Sequence, residues 1–284
     1  DAKGQQQKLV RGNGVVTEYS YDPQSFRLTR LRSLRQNASV LQDLSYTYDA
    51  SGNLTEQTNA AQSTVFYDNE VVTPTWRYVY DALSRLKEVR GREHAGQQGG
   101  TQLDATDLPQ MSLASPSDPQ AMRLYTRRYA YDGVGNLMEV KHLTQHGGWT
   151  RRYEYATNNN QLRSTSKASD DPQLPLPIRY EHDTHGNLTL MPHLPTMNWD
   201  VLDRLHATSR QVVTNGTPET TYYAYDGSGL RMRKITERQA STGVAPAKKS
   251  ERLYLGNWEV YRSFQSDGVT VEMERESLSV MEEQ

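Results

Sequence analysis

One seven-residue unit, aromatic-Asp-x-x-Gly-Asn-Leu, recurs along this chain and constrains its fold more than any other feature. A unit this short cannot bury an apolar face alone, so it must stack against its own copies. The clearest copies run Tyr48 to Leu54, Tyr131 to Leu137 and His182 to Leu188. Arg replaces Asn in Tyr80 to Leu86 and in Trp199 to Leu205, and looser copies start at Tyr21, Tyr155 and Tyr225. Successive starts lie 27, 32, 51, 24, 27, 17 and 26 residues apart, the range of a supersecondary repeat.

Before the turns, apolar residues alternate: Leu44, Tyr46, Tyr48; Trp76, Tyr78, Tyr80; Trp149, Tyr153, Tyr155; Thr221, Tyr223, Tyr225. A period of two predicts strands with these side chains on one face. In the turn, Asp bonds backbone two residues on, Gly supplies positive φ, and Asn tolerates it. The Leu then starts the return strand opposite the aromatic, so each unit reads as a β-hairpin. The predicted structural turn residues are Tyr48, Asp49, Gly52, Asn53 and Leu54; Tyr80, Asp81 and Leu86; Tyr131, Asp132, Gly135, Asn136 and Leu137; Asp183, Gly186, Asn187 and Leu188; Trp199, Asp200 and Leu205; and Tyr225 and Asp226. The repeat Leu and aromatic positions are expected to form the core. The fold class is therefore all-β, a curved sheet of repeated antiparallel hairpins.

Composition agrees with this. There are 18 Tyr against 3 Phe, which suits a half-buried sheet face with one wet end of each ring. Formal net charge is -2, which offers no large basic field for nucleic acid. Without cysteine, neither disulfides nor thiolate chemistry are available. No apolar run reaches the ~18 residues of a membrane span. The chain opens on Asp1 and shows no signal peptide, and reads as a piece of something longer. Three stretches interrupt the rhythm and read as exposed loops: about 91–121, 166–177 and 239–250. Because the same repeat continues on both sides of each, 1–284 reads as a single array.

The repeated motif, with Tyr21-Asp-Pro, Phe26 to Leu31, Met191 to Pro195, Met197 to Asp200 and Arg252 to Arg262, resembles the YD/RHS repeats. These occur in bacterial Rhs proteins, the B and C components of insecticidal Tc toxin complexes, and animal teneurins. The resemblance covers about Tyr19 to Met281. It implies a β-ribbon that spirals into a hollow shell around a cytotoxic C-terminal polypeptide, in a secreted or exported bacterial protein. The implied partners are the rest of that shell, its enclosed cargo and other toxin-complex subunits. The family's self-cleaving core, rich in DPxG motifs, has no match here, so self-cleavage is carried over to no residue and no enzyme activity is expected. The alternative is a carbohydrate- or protein-binding module with exposed Tyr and Trp rows.

Chemical candidates read as structural parts. His182, Asp183, His185 and His193 lie close in sequence, but His182 fills the aromatic slot and Asp183 is the turn Asp, so no metal and no cofactor are expected. The regular Asp series, Asp49 to Asp226, follows turn chemistry rather than a pair of unlike catalytic carboxylates. Gly227-Ser-Gly229 lacks the full nucleophile pattern, and Gly12-Asn-Gly14 lacks the strand–helix context of a phosphate loop. Asn53-Leu-Thr55 and Asn187-Leu-Thr189 fit a glycosylation sequon only as by-products of the repeat. Arg127-Arg128, Arg151-Arg152 and Arg231 to Lys234 alternate with aromatics, a pattern that can bind single-stranded nucleic acid. With acidic turns nearby, cross-strand pairing to Asp or Glu on the outer face is the expected use.

Overall fold

The structure, a computed structural model, describes residues 1–95, 118, 120–167, 170–171 and 173–280. Among these residues the regular elements are strands, without an α-helix. Backbone contacts divide the chain into two compact units, Asp1–Tyr153 with Ser166–Pro175, and Glu154–Thr165 with Leu176–Gln284.

The first unit is built on β1 (Lys8–Val10), β2 (Val16–Tyr21), β3 (Leu28–Leu34), β4 (Val40–Tyr48), β5 (Leu54–Asn59), β6 (Val65–Tyr67), β7 (Glu70–Val72), β8 (Thr75–Tyr80), β9 (Leu86–His94), β10 (Met122–Tyr131), β11 (Leu137–Thr144) and β12 (Gly147–Tyr155). They hydrogen-bond in chain order, except that β5 pairs directly with β8 and β6–β7 forms a separate hairpin. The second unit holds β13 (Leu162–Thr165) paired with β14 (Ile178–Arg179), and β15 (Glu181–His182) with β16 (Leu188–Leu190). A seven-stranded sheet follows in chain order: β17 (Thr196–Trp199), β18 (Leu205–Ser209), β19 (Thr220–Tyr225), β20 (Arg231–Glu237), β21 (Lys248–Leu255), β22 (Trp258–Phe264) and β23 (Val271–Leu278).

Register ties sequence to fold. Tyr48 faces Leu54, Tyr80 faces Leu86, Tyr131 faces Leu137, and Trp199 faces Leu205. In each pair the register slips by one residue just before the aromatic. That slip is a bulge, which absorbs the extra turn residue and adds local twist. The slip also changes which residues are buried most deeply. The aromatics and Leu residues that flank each turn are half-buried, whereas the buried apolar side chains include several from within strands: Leu44, Val89, Val140, Trp149, Ala207 and Val260. The expectation that the repeat positions themselves form the core is corrected accordingly. They sit at strand ends, where one side of each ring meets the turn and the solvent.

The predicted loops are shorter than expected where the structure describes them. Gly91 to His94 belong to β9, because Gly91 is a strand glycine over which the Trp76 indole lies. Residues 96–117 and 119 of the first loop lie outside the described residues. Lys248 to Ser250 belong to β21. Both lysines have partners, with Lys249 Nζ 2.7 Å from Glu219 and Lys248 Nζ 4.6 Å from the centre of the Phe264 ring. In the middle loop Ser166 is buried, and its N–H donates to the Arg152 carbonyl at 3.0 Å.

Candidate functional site

The most organised polar feature is the edge where the repeat turns follow one another. In the turn after Tyr48, the Asp49 carboxylate accepts the Asn53 backbone N–H at 2.8 Å and the Asn53 amide at 2.9 Å. The backbone closes through Asp49 N–H to Asn53 O at 2.9 Å, and Gly52 has φ 98°. Asp132 with Asn136 and Asp183 with Asn187 repeat this geometry. In the Arg-type turns, Asp81 accepts from Arg85 and Asp200 from Arg204, each through backbone N–H and guanidinium. Asp226 accepts the backbone N–H groups of Ser228 and Leu230. Each carboxylate thus meets turn donors that water would otherwise satisfy. The Asn53 amide, then its backbone N–H, hold the Asp49 carboxyl below the usual range. The Arg85 backbone N–H and guanidinium do the same for Asp81. Around Asp132, burial pushes the carboxyl up and the Asn136 hydrogen bonds outweigh it.

Three kinds of contact join one turn to the next. The strand-end aromatic donates back to the repeat Leu carbonyl of the preceding hairpin: Tyr48 Oη to Leu28 O at 2.8 Å, Tyr131 to Leu86 at 2.9 Å, Trp199 Nε1 to Leu188 at 2.8 Å and Tyr225 to Leu205 at 2.9 Å. The turn Arg reaches forward. Arg27 donates to the Asp49 carbonyl at 3.0 Å, Arg85 to Asp132 at 3.2 Å and Arg204 to Asp226 at 3.3 Å. Each of these guanidiniums also lies over the next ring, at 5.7 Å for Tyr48, 4.9 Å for Tyr131 and 5.2 Å for Tyr225. The turn Asn reaches forward differently, from Asn53 to Ser84 Oγ at 3.2 Å and from Asn187 to Asp203 Oδ1 at 2.8 Å. Ser84 and Asp203 replace the repeat Gly yet keep positive φ, 59° and 56°. Sequence reasoning named the turns but missed this forward docking. Its signal was the Arg/Asn choice at the sixth position, paired with a non-glycine at the fifth.

The remaining candidates are dispersed. His185 Nδ1 lies 2.8 Å from Asp203, while His182 pairs with Leu188 across its hairpin. Among the described residues no group of three His, Asp or Glu side chains converges on a possible metal position. The Arg-rich strands divide between two uses. Arg128 pairs with Glu88 at 2.8 Å, and Arg233 with Glu251. Arg127 instead lies over Tyr125 and Trp149, Arg151 over Tyr153, and Arg231 over Tyr223 and Tyr254. The outer-face expectation thus applies to only some of them, because alternation puts Arg127 on the same face as the rings beside it. Burial pushes the Tyr46, Tyr78 and Tyr125 hydroxyls up, as a partly desolvated aromatic face requires.

No family model matches the chain. Toxin subunit YenC2 of Yersinia entomophaga is 32% identical over 269 residues, covering 89% of this chain and 26% of that protein. Toxin subunit YenC1 of the same organism is 29% identical over 265 residues, covering 91% of this chain and 26% of that protein. This chain therefore spans about a quarter of the length of these curated relatives. Among solved structures, TcdB2-TccC3-TEV superposes with a TM-score of 0.74 and 29% identity, over 99% of this chain and 13% of that one. The Photorhabdus luminescens Tc holotoxin pore superposes with a TM-score of 0.73 and 30% identity, over 99% of this chain and 12% of that one.

Proposed function

This chain is a YD/RHS-repeat segment of the Tc toxin subunit type, and from that premise we propose that it is a wall segment of a shell enclosing a cytotoxic C-terminal polypeptide. The observation that carries this reading is the turn-to-turn docking of Tyr/Trp, Arg and Asn side chains, which makes each hairpin the template for the next. In this reading residues 1–284 act as one array. Tyr48, Asp49, Gly52 and Asn53 and their repeats are its joints, and the segment performs no catalysis. Its partners are the rest of the shell, the enclosed cargo and other subunits of an exported toxin complex. The barrier is passive: paired strands exclude proteases and solvent from the cargo. The binding-module reading needs aromatic tips free for a ligand. Tyr48, Tyr131, Trp199 and Tyr225 instead donate to Leu carbonyls inside the sheet.

The test uses the full-length parent. Loosening the joint between the 80–86 and 131–137 turns with Tyr131→Phe, and the later of those turns with Asp132→Ala, is expected to speed protease digestion of the enclosed polypeptide several-fold while the fold persists by circular dichroism. The 284-residue segment delivered alone into cells is expected to be harmless. A segment that is toxic unaided, or a cargo equally protected in the loosened shell, defeats the proposal.

A further inference from the structure

The Asn-to-next-turn contact occurs at two joints with different chemistry. At the first, Asn53 donates to the neutral hydroxyl of Ser84. At the second, Asn187 donates to the carboxylate of Asp203, and His185 from the same turn as Asn187 meets that same oxygen at 2.8 Å. Asp203 thus collects two partners from the preceding turn while held at φ 56°, a conformation L-residues other than Asn and Asp adopt reluctantly. Four other turns of this chain place Gly there: Gly52, Gly135, Gly186 and Gly229. Asp is among the few residues that tolerate this backbone conformation, so the position can carry a carboxylate, and here that carboxylate reaches across the joint to Asn187 and His185. We propose that the joint between the 182–188 and 199–205 turns is an acid-tightened clasp, in which protonated His185 and ionised Asp203 lock two successive hairpins together.

The charged groups acting on His185 are Asp203 across the joint and Asp183 in its own turn, both negative. The Asp203 hydrogen bond, then its charge, hold the imidazole above its ordinary value. Asn187 and then His185 hold the Asp203 carboxyl below its own. A raised imidazole contributes stability that is present at acid pH and lost as pH rises through its folded value, beyond the ordinary ~6.5. A depressed carboxyl contributes stability present above ~3.9 and lost as pH falls through its lower folded value. The clasp is therefore tightest at about pH 4 to 6.5 and loosens toward alkaline pH.

Two measurements on the full 284-residue chain test this. By NMR, the His185 titration midpoint is expected to lie above that of the Asp203→Asn variant, which keeps an acceptor for Asn187 and tolerates the backbone conformation. By hydrogen exchange corrected for intrinsic rates, amides of residues 183–188 and 200–205 are expected to be several-fold better protected at pH 5.5 than at pH 8. That difference is expected to vanish in Asp203→Asn and in His185→Gln. The Asn53–Ser84 joint, without a titrating pair, serves as internal control and is expected to show no such change. Equal His185 midpoints in parent and variant, a pH response that survives Asp203→Asn, or the same response at Asn53–Ser84 overturns the proposal.

Discussion

At the scale of single residues, glycine serves two unrelated purposes in this chain. Gly135 has φ 103°, and a Cβ placed there meets nothing within 4 Å. Gly91 has no such φ, but a Cβ there would sit 2.7 Å from Trp76 Nε1 and 3.1 Å from the Tyr125 hydroxyl. Gly135→Ala is thus a measure of backbone strain alone and is expected to cost about 1–2 kcal/mol. Gly91→Ala overpacks the sheet face and is expected to cost about 1–3 kcal/mol. Combining Gly91→Ala with Trp76→Leu is expected to recover part of that loss in thermal melts, whereas Trp76→Leu gives Gly135→Ala no relief. Gly135 was readable because the repeat puts it at a fixed offset from Asp132. Gly91 was not, because its neighbour Trp76 is brought to it only by the β8–β9 pairing, and the Gly- and Gln-rich residues that follow resemble a loop.

At the scale of elements, the repeat announces the hairpin but not the depth of each position. Leu44 is buried in the middle of β4, and Leu54 is half-buried beside the turn at the start of β5. Leu44→Ala is expected to cost about 3 kcal/mol, within the range of large-to-small core changes. Leu54→Ala, with less apolar surface to lose, is expected to cost about 1–2 kcal/mol. Denaturant melts giving the reverse order would contradict the mid-strand core. Period-two alternation groups Tyr46 with Tyr48, yet a bulge beside the turn of the repeat hairpins shifts the register in a way that alternation alone does not reveal. The β6–β7 hairpin was also unanticipated, although Val65-Phe-Tyr67 and Glu70-Val-Val72 flank an Asp68-Asn69 turn. Both turn residues have positive φ, 54° and 61°, as a two-residue hairpin with strand-matched twist demands. It lacks the aromatic-Asp-x-x-Gly-Asn-Leu signature, so the repeat pattern does not mark it.

At the scale of the whole molecule, the segment has a sheet edge that natural β proteins rarely leave open. Strand β23 ends the order of the seven-stranded sheet, and all eight of its residues are exposed, including Val271, Met273 and Leu278. Among the described residues no strand pairs with its other edge. A second copy is available to an isolated segment, but antiparallel self-pairing centred on Glu274 would set Glu272 against Glu276 and Glu274 against itself. Like charges directly opposite across a strand pair are destabilising. They lose most of that effect at about 1 M salt, where screening acts within about 3 Å. The isolated 284-residue chain is therefore expected to be mostly monomeric at low salt and to associate as salt is raised, as measured by light scattering. Glu272→Ser with Glu276→Ser is expected to bring that association into low salt, and Met273→Glu to suppress it at any salt. A chain that stays monomeric in 1 M salt with both glutamates removed would show that β23 is not an adhesive edge. Association that ignores both sets of substitutions would place the contact elsewhere on the surface.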